Sequence, residues 1–156
     1  FEIAILGRRS RRSTYRGYGQ PVYQGTGTAG CSGAHGLTAT GNAYLGNPSF
    51  ALEDIHAPAN GLGAMLLADG ANPTGSDPLG LGCLLHIDLA QSTVLAALPM
   101  SADSAGAGRL QLPIPSDPTL VGAVLHAQAL WSWSNCPSLP FGLSSSNLAS
   151  FAIINP

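Results

Sequence analysis

Residues 108–133 read GRLQLPIPSDPTLVGAVLHAQALWSW, and the reading of this stretch decides the fold. Its first part, Gly108–Ile114 read with the preceding Ala107, alternates apolar Leu110, Leu112 and Ile114 with Arg109 and Gln111, the period-2 pattern of a half-buried strand. The middle, PIPSDPTLVG, reads as a crossing between two sheets, with proline at a strand end where no ladder donor is lost. The last part, AVLHAQALW, is ambiguous, because Ala, Leu and Gln favour a helix. Pro118 and Pro137 bracket it in a chain otherwise patterned as β, and it is read as a strand.

The same punctuation continues outward. CLLHIDLA (Cys83–Ala90) alternates in the same manner, and turn signals such as NP, NG, NPTG, SDP, SAGAG and CP recur too often for long helices. About eight short strands at such spacing predict an all-β protein, a jelly-roll-like antiparallel β-sandwich with an extended N-terminal arm. The expected division is residues 1–24 as strand and arginine-rich arm or linker, and residues 25–156 as the sandwich. A chain of 156 residues accommodates one such domain.

Charge is scarce. Charged residues make up 9% of the chain, against roughly 25% in an ordinary soluble domain, while 45% is hydrophobic. Surface charge is what keeps most monomers apart, so this composition points to assembly or to an extracellular setting. What charge there is divides sharply. Residues 1–24 hold five of the six arginines (Arg8, Arg9, Arg11, Arg12 and Arg16) and Glu2, a net +4. Residues 25–156 hold Arg109 and seven acids, a net −6. A basic arm on an acidic body suits contact between copies of the chain. It argues against nucleic acid, whose phosphates the body would repel.

The opening FEIAIL places Phe1, Ile3 and Ile5 on one face of an extended segment and Glu2, Ala4 and Leu6 on the other. It reads either as a strand of the protein's own sheet or as a donor strand that completes a neighbour's sheet. The arginines behind it would then bridge to the acidic body, a use that suits the planar, weakly hydrated guanidinium. The linker can reach, since eighteen extended residues span up to roughly 60 Å. The chain opens on Phe1 rather than Met, which suggests a mature form with its leader removed. No run of about 18 apolar residues suggests a transmembrane helix.

Few constellations point to chemistry. GTGTAG (Gly25–Gly30) fits G-x-G-x-x-G but runs into CSGAHG, which cannot start the helix a dinucleotide site needs, so a flexible entry to the first strand is expected. Ser, His and Asp are all present without a G-x-S-x-G elbow; Ser144–Ser146 reads as a polar run, with Asn147 bonding turn backbone. His35, His56, His86 and His126 stand in four separate segments, with His86 and His126 inside apolar strands as structural histidines. Glu53 and Asp54 in LEDIH lack the oxygen-ligand run of a calcium loop. No metal, cofactor or enzymatic activity is assigned. Trp131 and Trp133 lie two apart, so on a strand they share a face; exposed they would make a sugar-stacking platform, buried they would anchor a core. The prolines in NPS and NPT block N-glycosylation.

Three cysteines, Cys31, Cys83 and Cys136, show neither C-x-x-C nor zinc-finger spacing. In an exported protein one disulfide is expected, with one thiol left over.

Residues 25–156 resemble a family of uncharacterised β-sandwich domains common at the C-termini of exported proteins from planctomycetes and related bacteria. The segments that carry the resemblance are GTGTAGCSGAHGLTATGNAYLGNPSFAL, LGCLLHI, GRLQLPIPSDPTLVGAVLHAQAL and PFGLSSSNLASFAI. The resemblance implies a β-sandwich, an extracellular or surface location and no known enzymatic activity. It favours pairing Cys31 with Cys83, with Cys31–Cys136 as the alternative. The functional expectation is therefore an extracellular structural subunit that self-assembles into a filament or surface layer, by donor-strand exchange of Phe1, Ile3 and Ile5 backed by the arginine arm. A carbohydrate-binding or adhesive module using Trp131 and Trp133 is the alternative.

Overall fold

A computed structural model describes residues 19–156. The FEIAIL segment and the five arginines of the arm lie outside the described residues. Within them the chain is all-β. Its strands are β1 (Val22–Gln24), β2 (Thr38–Ala39), β3 (Ala51–Asp54), β4 (Leu62–Ala68), β5 (Ala71–Ser76), β6 (Leu85–Ile87), β7 (Leu95–Ser101), β8 (Gly108–Gln111), β9 (Val124–Ser132), β10 (Leu143–Ser145) and β11 (Leu148–Ala152), with a single 3-10 turn at Pro118–Leu120.

The main sheet is antiparallel with strand order β1-β11-β9-β4-β7, and β10 pairs with β9 beyond the end of β11. A second antiparallel sheet, β2-β3-β8, packs over one face of it, and the β5–β6 hairpin over the other. The segment assigned to the arm thus contributes its last residues to the body. Val22–Gln24 pairs with Leu148–Ser150, and the Gly19 carbonyl accepts a bond from the Ala43 N–H.

The strand reading of AVLHAQALW holds, and its helix-like composition has a physical origin. The odd-numbered residues of β9 (Leu125, Ala127, Ala129, Trp131) enter the core beneath the second sheet. On the opposite face Gln128 is fully buried and Leu130 packs beneath β5–β6. With one face buried and the other half-covered, β9 lacks the clean alternation of a strand that keeps one wet face. β4 shows the same division, with Met65 and Leu67 in one core and Leu66 and Ala68 in the other.

Trp131 is the largest fully buried side chain, and its neighbours are small for its sake. Gly63 sits opposite it on β4, where a Cβ would stand 2.5 Å from the indole. Phe50 and Phe151 close the same core with ring centroids 5.0 Å apart and planes at 56°. Burial of each such side chain contributes about 1.5–3 kcal/mol.

The PIPSDP crossing is found as expected. After β8 the chain continues alongside the second sheet, with Leu112 N–H donating to Phe50 O and Ile114 N–H to Asn47 O. Asp117 then caps the 3-10 turn by accepting from Thr119 N–H, Leu120 is buried, and the chain enters β9 of the main sheet.

Candidate functional site

The densest polar chemistry lies where β3, β9, β10 and the loop before β2 meet. Asp54 ends β3 and is fully buried; its Oδ2 accepts from the indole N–H of Trp131 at 2.7 Å. The same oxygen lies 2.9 Å from His35 Nδ1. His35 Nε2 lies 2.8 Å from Ser144 Oγ on β10, and Trp133 Nε1–H donates to that hydroxyl at 2.7 Å. A carboxylate only accepts, so Nδ1 carries the hydrogen; in the neutral ring Nε2 then accepts the Ser144 proton. Carboxylate, imidazole and hydroxyl stand in the order of a Ser-His-Asp relay, assembled from positions 35, 54 and 144.

What the relay can do is set by its enclosure. The side chains of His35 and Asp54 have no solvent exposure, and Ser144 is equally buried. A nucleophile must reach a carbonyl beside donors for the developing oxyanion. Here the hydroxyl faces Trp133 and His35, from the middle of a strand rather than from an exposed elbow. In this arrangement it clamps four segments together. Asp54 Oδ1 is the one buried side-chain polar atom among the described residues without a partner. Leaving such an atom unpaired costs about 1–3 kcal/mol.

The three residues after Ser144 continue the clamp. Ser145 Oγ donates to Leu84 O and accepts from Thr28 N–H, and Ser146 Oγ accepts from Ala129 N–H. Asn147 does not bond its own turn, as the sequence suggested. Its Oδ1 accepts from Leu37 N–H at 2.8 Å, 110 residues away. Gln128 joins in from β9, accepting from His86 N–H and donating to Leu84 O and Ser146 O. The glycines of GTGTAG are not a flexible entry either. A Cβ on Gly27 would fall 2.0 Å from Ser145 O, and one on Gly30 2.2 Å from the Trp133 ring. They are small because the loop lies directly on this clamp.

The two tryptophans form no exposed platform. Trp131 is fully buried and bonded to Asp54, while Trp133 is half-buried with its N–H committed to Ser144. The disulfide also differs from the favoured pairing. It joins Cys31 to Cys136, with Cα atoms 5.7 Å apart, and Cys83 is a buried free thiol. Cys83 packs with Leu66, Leu85 and Leu148 on the far side of the main sheet, and burial pushes its thiol pKa up.

The histidines do not converge. His56 bonds Ala34 O, His86 bonds Thr26 O and His126 bonds Ser150 Oγ; no cluster suited to a metal occurs among the described residues. The acids have structural tasks. Glu53 pairs with Arg109 at 2.8 Å. Asp69, Asp77, Asp88, Asp103 and Asp117 each accept backbone N–H bonds in turns. Sequence reading missed the relay because its members are distant in the chain; the run SSSN was its only local trace. Comparison with family models, with curated proteins and with solved structures finds no match to this chain.

Proposed function

We propose that the protein is an exported structural subunit without enzymatic activity that self-assembles through its N-terminal arm. The observation that carries this reading is the separation of charge. The only arginine of the body, Arg109, is already paired with Glu53, while five turn aspartates lie at or near the surface. The arm holds the other five arginines, so the best partner for it is the body of another copy. Support for an extracellular setting comes from the disulfide. No helix of the described residues is long and apolar enough to cross a membrane. With both indole N–H groups committed inside the domain, the carbohydrate reading loses the platform it was built on.

The test is deletion of residues 1–12, followed by sedimentation velocity and electron microscopy. The full chain is expected to form extended particles and the truncated one to remain monomeric. Equal assembly by both would overturn the reading.

A further inference from the structure

We propose that the free edge of β7 accepts the Phe1–Leu6 segment of a second copy, antiparallel, with Ile3 opposite Leu98. The proposal rests on the assembly reading above and names the surface that reading requires.

The hydrogen bonds beside β7 fix which of its backbone groups are free. Asp69 N–H donates to Val94 O and Ala102 N–H to Gly61 O, both in the register that pairs Leu62 with Ser101 and Ala68 with Leu95. In an antiparallel pair, bonded and non-bonded positions alternate. Even-numbered residues of β7 therefore turn their N–H and C=O toward β4. Leu95, Ala97 and Pro99 turn theirs away, and no described backbone group pairs with them; beyond them, at Ser101, the edge meets β8 through the Ala102–Gly108 bridge. Pro99 occupies one of these outward positions, where the missing N–H costs no bond to β4.

β7 is the edge best suited to receive a strand. It is seven residues long and carries no charged side chain. The other edges are β1, β2, β6, β8 and β10, of two to four residues, and β5, whose register breaks between Ala71 and Ser76. Proteins ordinarily guard an apolar edge of this length with charges, prolines or a cover; β7 has one such device, Pro99, and leaves the outward N–H groups of Leu95 and Ala97 open.

The segment FEIAIL fits that edge in length, face and direction. Set antiparallel with Ile3 against Leu98, its six residues span Leu95–Met100. Phe1, Ile3 and Ile5 then share a face with Met100, Leu98 and Ala96, the residues of β7 that border the main core. Its alternate residues, Glu2, Ala4 and Leu6, meet the outward groups of Pro99, Ala97 and Leu95. Direction follows from charge. An antiparallel segment brings Leu6 to the Leu95 end, so Arg8, Arg9, Arg11 and Arg12 follow there. The carboxylate of Asp69 is held at that end by Thr93 and Val94, and Asp88 is tied in by Ser92. The reverse direction would deliver the arginines to the Ser101 end, where the Ala102–Gly108 bridge already brings a cation, Arg109, paired with Glu53. Twelve residues separate Leu6 from Gly19 and reach up to about 40 Å, enough to leave a body whose radius of gyration is about 14 Å.

The test mixes full-length Ile3→Cys protein with full-length Leu98→Cys protein under mild oxidation. A covalent dimer is expected only when both are present. A double variant that cross-links within one chain at high dilution would put the segment in its own sheet and overturn the proposal. Ala97→Pro provides a second measurement, because it removes an outward N–H and leaves the β4 pairing intact. It is expected to raise the concentration needed for assembly at least tenfold while thermal unfolding stays unchanged. Assembly that is lost on deleting residues 1–6 but indifferent to Ala97→Pro, with no cross-link, would show that β7 is not the acceptor, leaving the assembly reading intact. Assembly that survives the deletion would overturn both.

Discussion

β9 and β7 are built from similar residues and do opposite things. VLHAQALWS and LAALPMS are both rich in Ala and Leu. β9 is paired on both sides, with one face buried and the other half-buried around Gln128, while β7 is paired along its length on one side only and alternates exposed with partly buried residues. Composition therefore says little about rank within a sheet. What separates the two is the partner each residue meets: an indole in a glycine slot and a buried glutamine for β9, open solvent and a missing N–H at Pro99 for β7.

The contrast can be tested by substitution, beginning with the core. Trp131→Ala empties the centre of β9 and leaves Asp54 with one donor fewer; it should cost about 3–5 kcal/mol in denaturant unfolding. Leu98→Ala, the closest counterpart on β7, should cost about 1–2 kcal/mol because Leu98 is already partly exposed. Equal losses would mean that β7 is covered in solution. Replacing both Cys31 and Cys136 by Ser frees the loop on Trp133 and should cost about 2–4 kcal/mol, whereas Cys83→Ser should leave the disulfide intact. Thiol titration before and after denaturation would check both.

Proline placement offers a finer comparison. Ala96→Pro, at a position turned toward β4, should cost about 2–3 kcal/mol, and Ala97→Pro less than about 1 kcal/mol. The smallest expected effect is with pH. Burial holds the His126 pKa below its ordinary 6.5, against a smaller opposing pull from Asp69. A depressed folded pKa means that the unfolded chain binds the proton first. His126 thus contributes its full stability above about pH 6.5, and that contribution is lost as the pH falls through the folded value. His126→Gln should flatten the decline in melting temperature between neutral and mildly acidic pH.

The sequence made the sandwich legible where strands keep one wet face. Leu110, Leu112 and Ile114 alternate plainly, and the PIPSDP crossing needed only its prolines. β9 was legible only through its flanks, since partial cover of its second face admits Ala, Gln and Leu there and blurs the period that distinguishes strand from helix. The clamp could not be read in advance. His35, Asp54 and Ser144 have no mutual spacing, and the pairing of three cysteines depends on which loops the fold brings within reach. Cys31 and Cys136 meet because their loops flank Trp133; Cys83 is excluded because it lies across the sheet.

The clamp at Ser144–Asn147 also constrains the order in which this chain can fold. Thr28 meets Ser145 across 117 residues, Leu37 meets Asn147 across 110, and β1 waits for β11. The N-terminal third has no local partner for these groups, so its loops stay open until the last strands are made. Such long closures slow folding and leave edges exposed meanwhile. A chain wired in this way is expected to complete its structure only after synthesis ends, with the bond between Cys31 and Cys136 sealing late. For a subunit that joins others through its beginning, late closure would keep the acceptor body unfinished until the whole chain is present.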